Sequence, residues 1–291
     1  MALSVGTEDD DVVYKKEFLF TGKDFSYLSK LAGELAGISM PPGKRELIYG
    51  RLVKRLRVLG LKNFKQYCEY LDEGDGDERT HFINAITTNV TSFFRENHHF
   101  EFLEDTLLPE LVRKKSAESK PRLRIWSAGC SSGKEPYSIA MVLRECIPNI
   151  DRWDAKILAT DLDSNILEVA KTGVYPIEHL NEIALGRRKR WFQMGRGANE
   201  KSIKVIDEIK EMVTYKKLNL TESWPIKGKF DIIFCRNVTI YFDRDTRIKL
   251  LDRFAEHLHD GGCLFVGHSE SLFGLTQRFS TVGRTIHGKI R

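Results

Sequence analysis

The sequence predicts an α/β protein in which a doubly wound, mostly parallel sheet follows a small all-helical domain and carries a small antiparallel β insertion. Apolar residues recur at helical spacing from residue 24 to about residue 115, with no clear β alternation. After a polar segment at 114–122, short apolar runs alternate with helical patterns, as in parallel strands joined by crossover helices. We therefore expect a flexible tail over residues 1–20, a helical domain over 21–115 and an α/β domain over 116–291.

Five helices are predicted in the N-terminal part. Asp24 is expected to cap the first helix, and Gly37 and Gly60 are expected to end the first and the second. Asn63 is the expected cap of the third helix, and a turn rich in acidic residues and glycine follows it. The predicted helices cover 24–37, about 42–59, 63 to about 71, about 79–87 and about 98–115.

The C-terminal part shows the alternation of strands and helices. Buried strands are predicted at 123–130, 155–163, 230–237 and 261–268, with helices at 136–146, from 164 onward and at about 245–259. Apolar and polar residues alternate at period two in 202–206 and again in 212–218. These two segments predict an antiparallel β insertion at about 186–217.

The composition excludes several classes of protein. The chain has 291 residues, of which 41% are hydrophobic and 30% are charged, which is enough for a core and excludes global disorder. Its five cysteines form no CxxC pair, so neither a zinc site nor a disulfide framework is indicated. The acidic start lacks the pattern of a signal peptide, and no segment reaches the ~18 apolar residues of a membrane span. We expect a cytoplasmic protein without a metal ion and without direct membrane insertion.

A glycine-rich turn and an acidic strand end point to a nucleoside ligand. The turn at 127–136 joins a predicted strand to a helix, and Asp161 ends the next strand, where an acid can accept hydrogen bonds from ribose hydroxyls. A purely structural turn and a helix cap are the alternatives. The pyrophosphate fingerprint of NAD enzymes is absent, which favours S-adenosylmethionine. Glu135 can pair with the amino group of that cofactor, or it can simply favour the start of its helix.

Two further segments are unusually polar for their positions. Residues 87–100 combine Asn, Thr and Arg with paired aromatic residues at the junction of the two parts. Arg236 and Asn237 follow a buried strand, where ligands bind in such sheets, and Tyr241 comes four residues after Asn237. Each of these side chains could instead cap the helix that follows it.

Six segments, taken together and in order, resemble the motifs of the CheR family of chemotaxis receptor methyltransferases. They are TTNVTSFFRE (87–96), SAGCSSGKEPYSIA (127–140), ATDLD (159–163), KLNL (217–220), CRNVTIYF (235–242) and GHSESL (267–272). The resemblance covers residues from about 24 to 290. It implies a helical N-terminal domain, a class I S-adenosylmethionine-dependent methyltransferase domain and a small inserted β-subdomain.

The resemblance also implies a role for individual residues. It places Arg95 and Tyr241 at the point of methyl transfer. The residues implied in cofactor binding are Asn89, Thr91, Arg95, Glu135, Asp161, Asn219, Leu220, Arg236 and Asn237. One position departs from the family pattern, because Lys134 stands where a second acid commonly precedes the Glu-Pro pair.

The implied activity is methylation of glutamate side chains on chemoreceptor cytoplasmic helices, which yields glutamate methyl esters and S-adenosylhomocysteine. A non-catalytic receptor- or nucleotide-binding adaptor of the same fold is the alternative. A nucleic-acid methyltransferase is disfavoured, because CRNV stands where amino-group methylation of bases would need a D/N-P-P-Y/F motif. The expected protein is a monomer that does not bind nucleic acid. In some family members, the inserted β-subdomain holds a receptor C-terminal peptide.

The net charge of +5 is concentrated in one segment. Residues 44–65 carry eight basic side chains and one acidic side chain. The net charge of this segment, +7, is larger than that of the whole chain. The expected partner-binding residues are Lys44, Arg45, Arg51, Lys54, Arg55 and Arg57. A solvated helix face and a nucleic-acid surface are alternatives. The resemblance favours docking to acidic receptor helices.

Overall fold

The computed structural model describes residues 16–74 and 76–290. Most of the predicted flexible tail, residues 1–15, lies outside this range. Residues 16–20 correct the prediction, because Phe18 and Phe20 are buried in the core of the helical domain. The ring of Phe20 lies 4.2 Å from that of Phe64, and the Phe64 N–H donates to the carbonyl of Leu19. The ordered helical domain therefore begins before residue 21.

The helical domain is built around α1 (Gly22–Ala36), α2 (Arg45–Leu59), α3 (Phe64–Glu73) and α4 (Asp77–Ile86). Thr21, not Asp24, caps α1, and Asp24 is the third helical residue of a capping box with it. Gly37 and Gly60 end α1 and α2 in the left-handed conformation, as predicted.

The predicted fifth helix is interrupted. It forms α5 (His98–Phe102), a π-helical turn (Leu103–Leu107) and α6 (Leu108–Lys115). Pro109, in the first turn of α6, has no N–H to donate to the preceding turn, which explains why the α-helical hydrogen bonding breaks here.

The strands of the main sheet of the described chain are β1 (Arg122–Ala128), β2 (Asp154–Asp161), β6 (Val213–Lys217), β7 (Phe230–Cys235), β8 (Leu258–Val266), β9 (Phe279–Gly283) and β10 (Ile286–Lys289). Their order across the sheet is β6-β2-β1-β7-β8-β10-β9. The first five strands in this order are parallel, and β10 is antiparallel to both neighbours. The connecting helices include α7 (Lys134–Cys146), α8 (Ser164–Thr172) and α11 (Arg244–His257). The sequence did not indicate β9, because most of its residues are exposed.

The small antiparallel sheet differs from the predicted insertion. It consists of β3 (Val174–Pro176), β4 (Phe192–Met194), which follows α9 (Leu185–Trp191), and β5 (Ser202–Val205), in the order β3-β5-β4. The second alternating segment leaves it: after α10 (Asp207–Lys210), it becomes β6 and pairs in parallel with β2. Period-two alternation fits either place, because β6 is an edge strand with one covered face. The insertion therefore spans about 174–205 instead of 186–217.

The parallel strands bring their carboxyl ends to one edge of the sheet. The turns after β1, β2, β7 and β8 meet there, which is where ligands bind in open α/β sheets. None of the helices within 16–74 and 76–290 is both long and apolar enough to cross a lipid bilayer.

Candidate functional site

A cleft lies at this edge of the sheet, between the α/β domain and the helical domain. It holds about 930 Å³ of empty space, including its open mouth. The structure brings together in its wall every predicted cofactor or methyl-transfer residue: Asn89, Thr91, Arg95, Glu135, Asp161, Asn219, Leu220, Arg236, Asn237 and Tyr241. The predicted partner-binding residues of the basic segment do not line it.

The glycine-rich turn forms the floor of the cleft. Gly129 and Gly133 both have φ of +85°, and a Cβ atom on Gly129 would collide with the Val238 side chain after β7. The Ser131 N–H donates to the Asp161 carboxylate at 2.7 Å. The absence of a side chain at Gly129 lets the turn after β1 pack closely on Val238 after β7, and the Ser131 hydrogen bond joins the same turn to the end of β2.

Glu135 is held in a buried ion pair at the first turn of α7. Its carboxylate, 11% exposed, accepts hydrogen bonds from Ser127 Oγ at 2.7 Å and from Arg236 Nη1 at 3.1 Å. Arg236 is 2% exposed and also lies 3.4 Å from the Glu96 carboxylate. Burial raises the pKa of Glu135, and the charge of Arg236 opposes that rise. The cleft therefore presents a carboxylate whose orientation is fixed before any ligand arrives.

Asp161 does not cap α8, although a capping role was the alternative to ligand binding for this residue. Asp163 caps α8 instead and accepts from the Asn165 N–H at 2.9 Å. Asp161 accepts from the N–H groups of Ser131 and Asp163, and its burial raises the pKa of its carboxyl. Its carboxylate lines the cleft at the end of β2.

The segment 87–96 is an irregular loop between α4 and α5, and α5 begins only at His98. Asn89 Nδ2 donates to Asp163 Oδ2 at 2.7 Å, and the Asn89 carbonyl accepts from Ser131 Oγ at 3.0 Å. Arg95 Nη1 donates to the Val90 carbonyl at 2.9 Å. These bonds hold Asn89 and Arg95 in the cleft wall.

Glu270 holds the backbone of the turn after β7 in place, a role that the sequence analysis did not predict. It is buried, and its carboxylate accepts from the N–H groups of Asn237, Val238, Thr239 and Gly267 at 2.6–3.0 Å. Asn237 adopts φ of +59° in this turn. The carboxylate thus fixes the strained backbone that presents Asn237 and Tyr241. The motif GHSESL contained this residue, but nothing local in the sequence indicated its partners.

Glu96 lies beside Arg236, and His99 lies beside Glu96. Burial alone would raise the pKa of Glu96, but a hydrogen bond from His268 and the charge of Arg236 hold it at about 2. Burial, with Arg236 beside the ring, lowers the pKa of His99 to about 3. Glu96 is therefore anionic and His99 neutral at pH 7.

Lys134, the departure from the family pattern, turns away from the cleft. Its ammonium, 4% exposed, lies 2.9 Å from His179 Nδ1 and 3.2 Å from Glu182 Oε1. Glu182 in turn accepts from the Phe93 N–H at 2.7 Å. The extra positive charge is neutralised outside the cleft wall.

The helical domain completes the cleft, which the sequence did not indicate. Ala36 and Ile38, at the end of α1, line it together with Leu162, Leu218 and Phe242 of the larger domain. These side chains form apolar walls. Two carboxylates and apolar walls fit a ligand that combines an ammonium group, ribose hydroxyls and a flat base.

The predicted basic face is smaller than the sequence indicates. Arg55 forms an ion pair with buried Glu78, and Arg51 donates to the Thr87 carbonyl at 3.0 Å. Arg45 donates to the Phe20 carbonyl and Arg57 pairs with Glu17. Interactions within the helical domain thus occupy the four arginines.

The two lysines of the predicted face are not held in this way. Lys54 is exposed, and the ammonium of Lys44 lies 5.0 Å above the ring of Tyr241.

Comparisons with known proteins agree with this geometry. Residues 23–87 match the family described as CheR methyltransferase, all-alpha domain, and residues 89–287 match CheR methyltransferase, SAM binding domain. The chain is 46% identical to a probable chemotaxis protein methyltransferase of Rhizobium etli, over 87% of this chain and 94% of that protein. It is 41% identical to chemotaxis protein methyltransferase 2 of Pseudomonas aeruginosa (94% and 95% of the two chains) and to the chemotaxis protein methyltransferase of Escherichia coli (90% and 89%).

Proposed function

Because the chain belongs to the CheR methyltransferase family and is a methyltransferase that uses S-adenosylmethionine, we propose that its acceptor is a glutamate side chain on the cytoplasmic helices of a chemoreceptor. The product is a glutamate methyl ester, and the reaction belongs to chemotaxis adaptation in the cytoplasm.

One observation carries the choice of a carboxylate acceptor. Arg95 and Tyr241 offer hydrogen-bond donors to the cleft, while its described wall contains no histidine, lysine or cysteine. The two carboxylates in the wall, Glu135 and Asp161, accept hydrogen bonds from Ser127, Arg236 and backbone N–H groups, and both are assigned to the cofactor and not to the acceptor. A glutamate has an ordinary pKa of about 4.3, so it is ionised at pH 7 and needs no base to become a nucleophile. A protonated amine acceptor would need one. The cleft is therefore equipped for an anionic acceptor.

The residues in the cleft wall fit the cofactor. Glu135 would bind its amino group, and Asp161 would bind its ribose hydroxyls. Asn219 and Leu220 would pack against the base, and Asn89, Thr91, Arg236 and Asn237 also line the cleft. When bound, the cofactor would supply a methyl group on a sulfonium. Transfer of that methyl group to the glutamate oxygen would break the methyl–sulfur bond and leave S-adenosylhomocysteine.

The protein contributes placement and exclusion of water. Arg95 and Tyr241 would orient the carboxylate, for which effective molarity can supply roughly 7–11 kcal/mol at best. Charge decreases toward the transition state, because an anion and a cation become neutral groups. The apolar walls formed by Leu162, Leu218 and Phe242 therefore favour the reaction by keeping water out.

The helical domain is the proposed docking surface for the receptor. Lys54 is exposed, and Lys44 stands at the mouth of the cleft beside Tyr241. Both ammonium groups can attract acidic receptor helices. The exposed edges of the small sheet, at β3 and β4, can add a strand from a receptor C-terminal peptide. The working form is a monomer.

Transfer of labelled methyl from S-adenosylmethionine to receptor-containing membranes tests the proposal. Subsequent alkali should release volatile methanol, because methyl esters hydrolyse and methylated nitrogen does not. Alkali-stable label would contradict a carboxylate acceptor. Cofactor binding without any labelling of receptors would instead support the adaptor alternative.

A further inference from the structure

One ion pair joins the insertion to the cleft loop, residues 87–96. The Lys134 ammonium, 4% exposed, lies 3.2 Å from Glu182 Oε1, and Glu182 ends a short helical turn of the insertion, Ile177–Glu182. His179 belongs to the same turn, and its Nδ1 lies 2.9 Å from the ammonium and 2.7 Å from Glu182 Oε1. The residue that departs from the family pattern is therefore a buried cation with two partners in the insertion.

Both members of this pair also hold backbone groups of the cleft loop. Glu182 Oε2 accepts from the Phe93 N–H at 2.7 Å, and Lys134 Nζ donates to the Thr91 carbonyl at 3.4 Å. The pair thus fixes the loop on both sides of Ser92. Because the pair is largely buried, the attraction between its two charges is screened less than it would be in water.

The cleft loop needs such support, because part of its backbone is strained. Phe94 adopts φ of +52°, in the left-handed region that is costly for residues other than glycine, and its N–H donates to Ser138 Oγ at 3.1 Å. Such a conformation persists only where the surrounding structure imposes it. Thr91 and Arg95 flank this residue, and both line the cleft. A shift of the strained backbone would therefore move both side chains relative to a ligand.

Aromatic packing places the same loop against the insertion. The ring of Phe93 lies 5.1 Å from that of Tyr175 in β3 and 5.3 Å from that of Phe192 in β4. The Tyr175 hydroxyl donates to the Ser132 carbonyl of the glycine-rich turn at 2.7 Å. The insertion thus supports two segments of the cleft, and the ion pair is the charged part of that support.

We propose that Lys134 and Glu182 are positioning residues, which hold the cleft loop so that Thr91 and Arg95 face the ligand. They act through the loop, because neither of the two side chains lines the cleft. The inference concerns cofactor binding and turnover, and it does not depend on which acceptor is methylated.

The test reverses the charge of Lys134 and then removes the charge of Glu182. Lys134→Glu introduces the acid that is common at this position in the family, but here the new carboxylate would face Glu182. Glu182→Gln keeps an acceptor for the Phe93 N–H and removes the repulsion, so the two substitutions are also combined. The control Lys171→Glu makes the same reversal in the exposed ion pair of Lys171 with Glu168.

The affinity for S-adenosylhomocysteine is measured by isothermal titration calorimetry, and the stability of each variant is measured by urea unfolding. Lys134→Glu should raise Kd by about tenfold or more, because repulsion between the two carboxylates displaces the cleft loop. The double variant should recover at least part of that loss, since the amide does not repel the new carboxylate and can donate to it. Lys171→Glu should stay within about twofold of the wild type.

Turnover with receptor-containing vesicles at saturating cofactor should fall in the same order, because Arg95 belongs to the same loop. If no receptor is labelled even by the wild type, the proposed function fails, and the affinities still test the ion pair.

An unchanged Kd in folded Lys134→Glu would overturn the proposal. A lower urea midpoint with unchanged affinity would also overturn it, since the pair would then support only the fold. A double variant that binds more weakly than Lys134→Glu would show that the two residues act separately, against the proposal. If Lys134→Glu does not fold, Glu182→Gln provides the test: its Kd should rise about threefold or more, and wild-type affinity would overturn the inference.

Discussion

The buried Glu135 carboxylate yields the sharpest prediction about cofactor binding. Glu135→Gln keeps the shape of the side chain and its contact with Ser127, but it removes the negative charge. Arg236 keeps its ion pair with Glu96, at 3.4 Å, so the fold should survive. The lost partner of the ligand's ammonium group should cost about 2 kcal/mol or more, which is roughly a thirtyfold rise in Kd.

The comparison of two ligands makes this prediction specific. S-adenosylhomocysteine carries the amino group, and methylthioadenosine lacks it but keeps the ribose and the base. By isothermal titration calorimetry, Glu135→Gln should weaken only the first ligand. Asp161→Asn is the matched variant, and it should weaken both, because both ligands keep the ribose hydroxyls. An equal loss of both ligands in Glu135→Gln would refute the assignment of Glu135 to the amino group.

Three further outcomes are expected. Arg95→Ala should reduce turnover far more than cofactor affinity, and equal losses in a rate assay and a titration would make Arg95 only a cofactor ligand. Arg55→Ala should destabilise the helical domain by about 3 kcal/mol, because it leaves Glu78 buried without its cation. Urea unfolding measures this loss, and a variant as stable as the wild type would contradict the prediction. Burial lowers the pKa of His99 from 6.5 to about 3 in the folded state, so the unfolded chain binds a proton there first, and stability should fall as pH drops below 6.5. The loss should amount to about 1.6 kcal/mol between pH 6.5 and pH 5. Urea titrations of His99→Gln should show a shallower pH dependence, and a slope equal to that of the wild type would contradict the argument.

The elements that the sequence predicted best are those with strong local patterns. The parallel strands and their glycine-rich turn follow from apolar runs that end in small or polar residues. Glu135, Asp161, Arg236 and Asn237 follow from the edge at which such strands end, whereas Asn89, Thr91, Arg95, Asn219 and Leu220 followed only from the resemblance to the family. β6 was assigned to the wrong sheet, because alternation reports one covered face and does not identify the neighbouring strand. The start of the helical domain was placed late, because Phe18 and Phe20 are too few to show periodicity.

The interactions that were not predicted join residues far apart in the chain. Glu270 binds backbone N–H groups more than thirty residues earlier. Arg55 and Arg51 were interpreted as free charges, although Arg55 pairs with Glu78 and Arg51 donates to backbone carbonyls at the C-terminal end of α4. A charge count cannot distinguish a solvated side chain from one that is already paired. Reversing Arg51 and Arg55 would therefore confound docking with stability, and Lys54→Glu is the better test of the basic surface.

The position of the transferred methyl group tests the central claim most directly. Receptor incubated with this protein and S-adenosylmethionine is digested, and its peptides are sequenced by mass spectrometry before and after mild alkali. We predict an added methyl group on glutamate side chains of the cytoplasmic helices, lost after alkali and absent when Arg95→Ala replaces the wild type. Methylation on lysine, arginine or a peptide terminus, stable to alkali, would contradict the account.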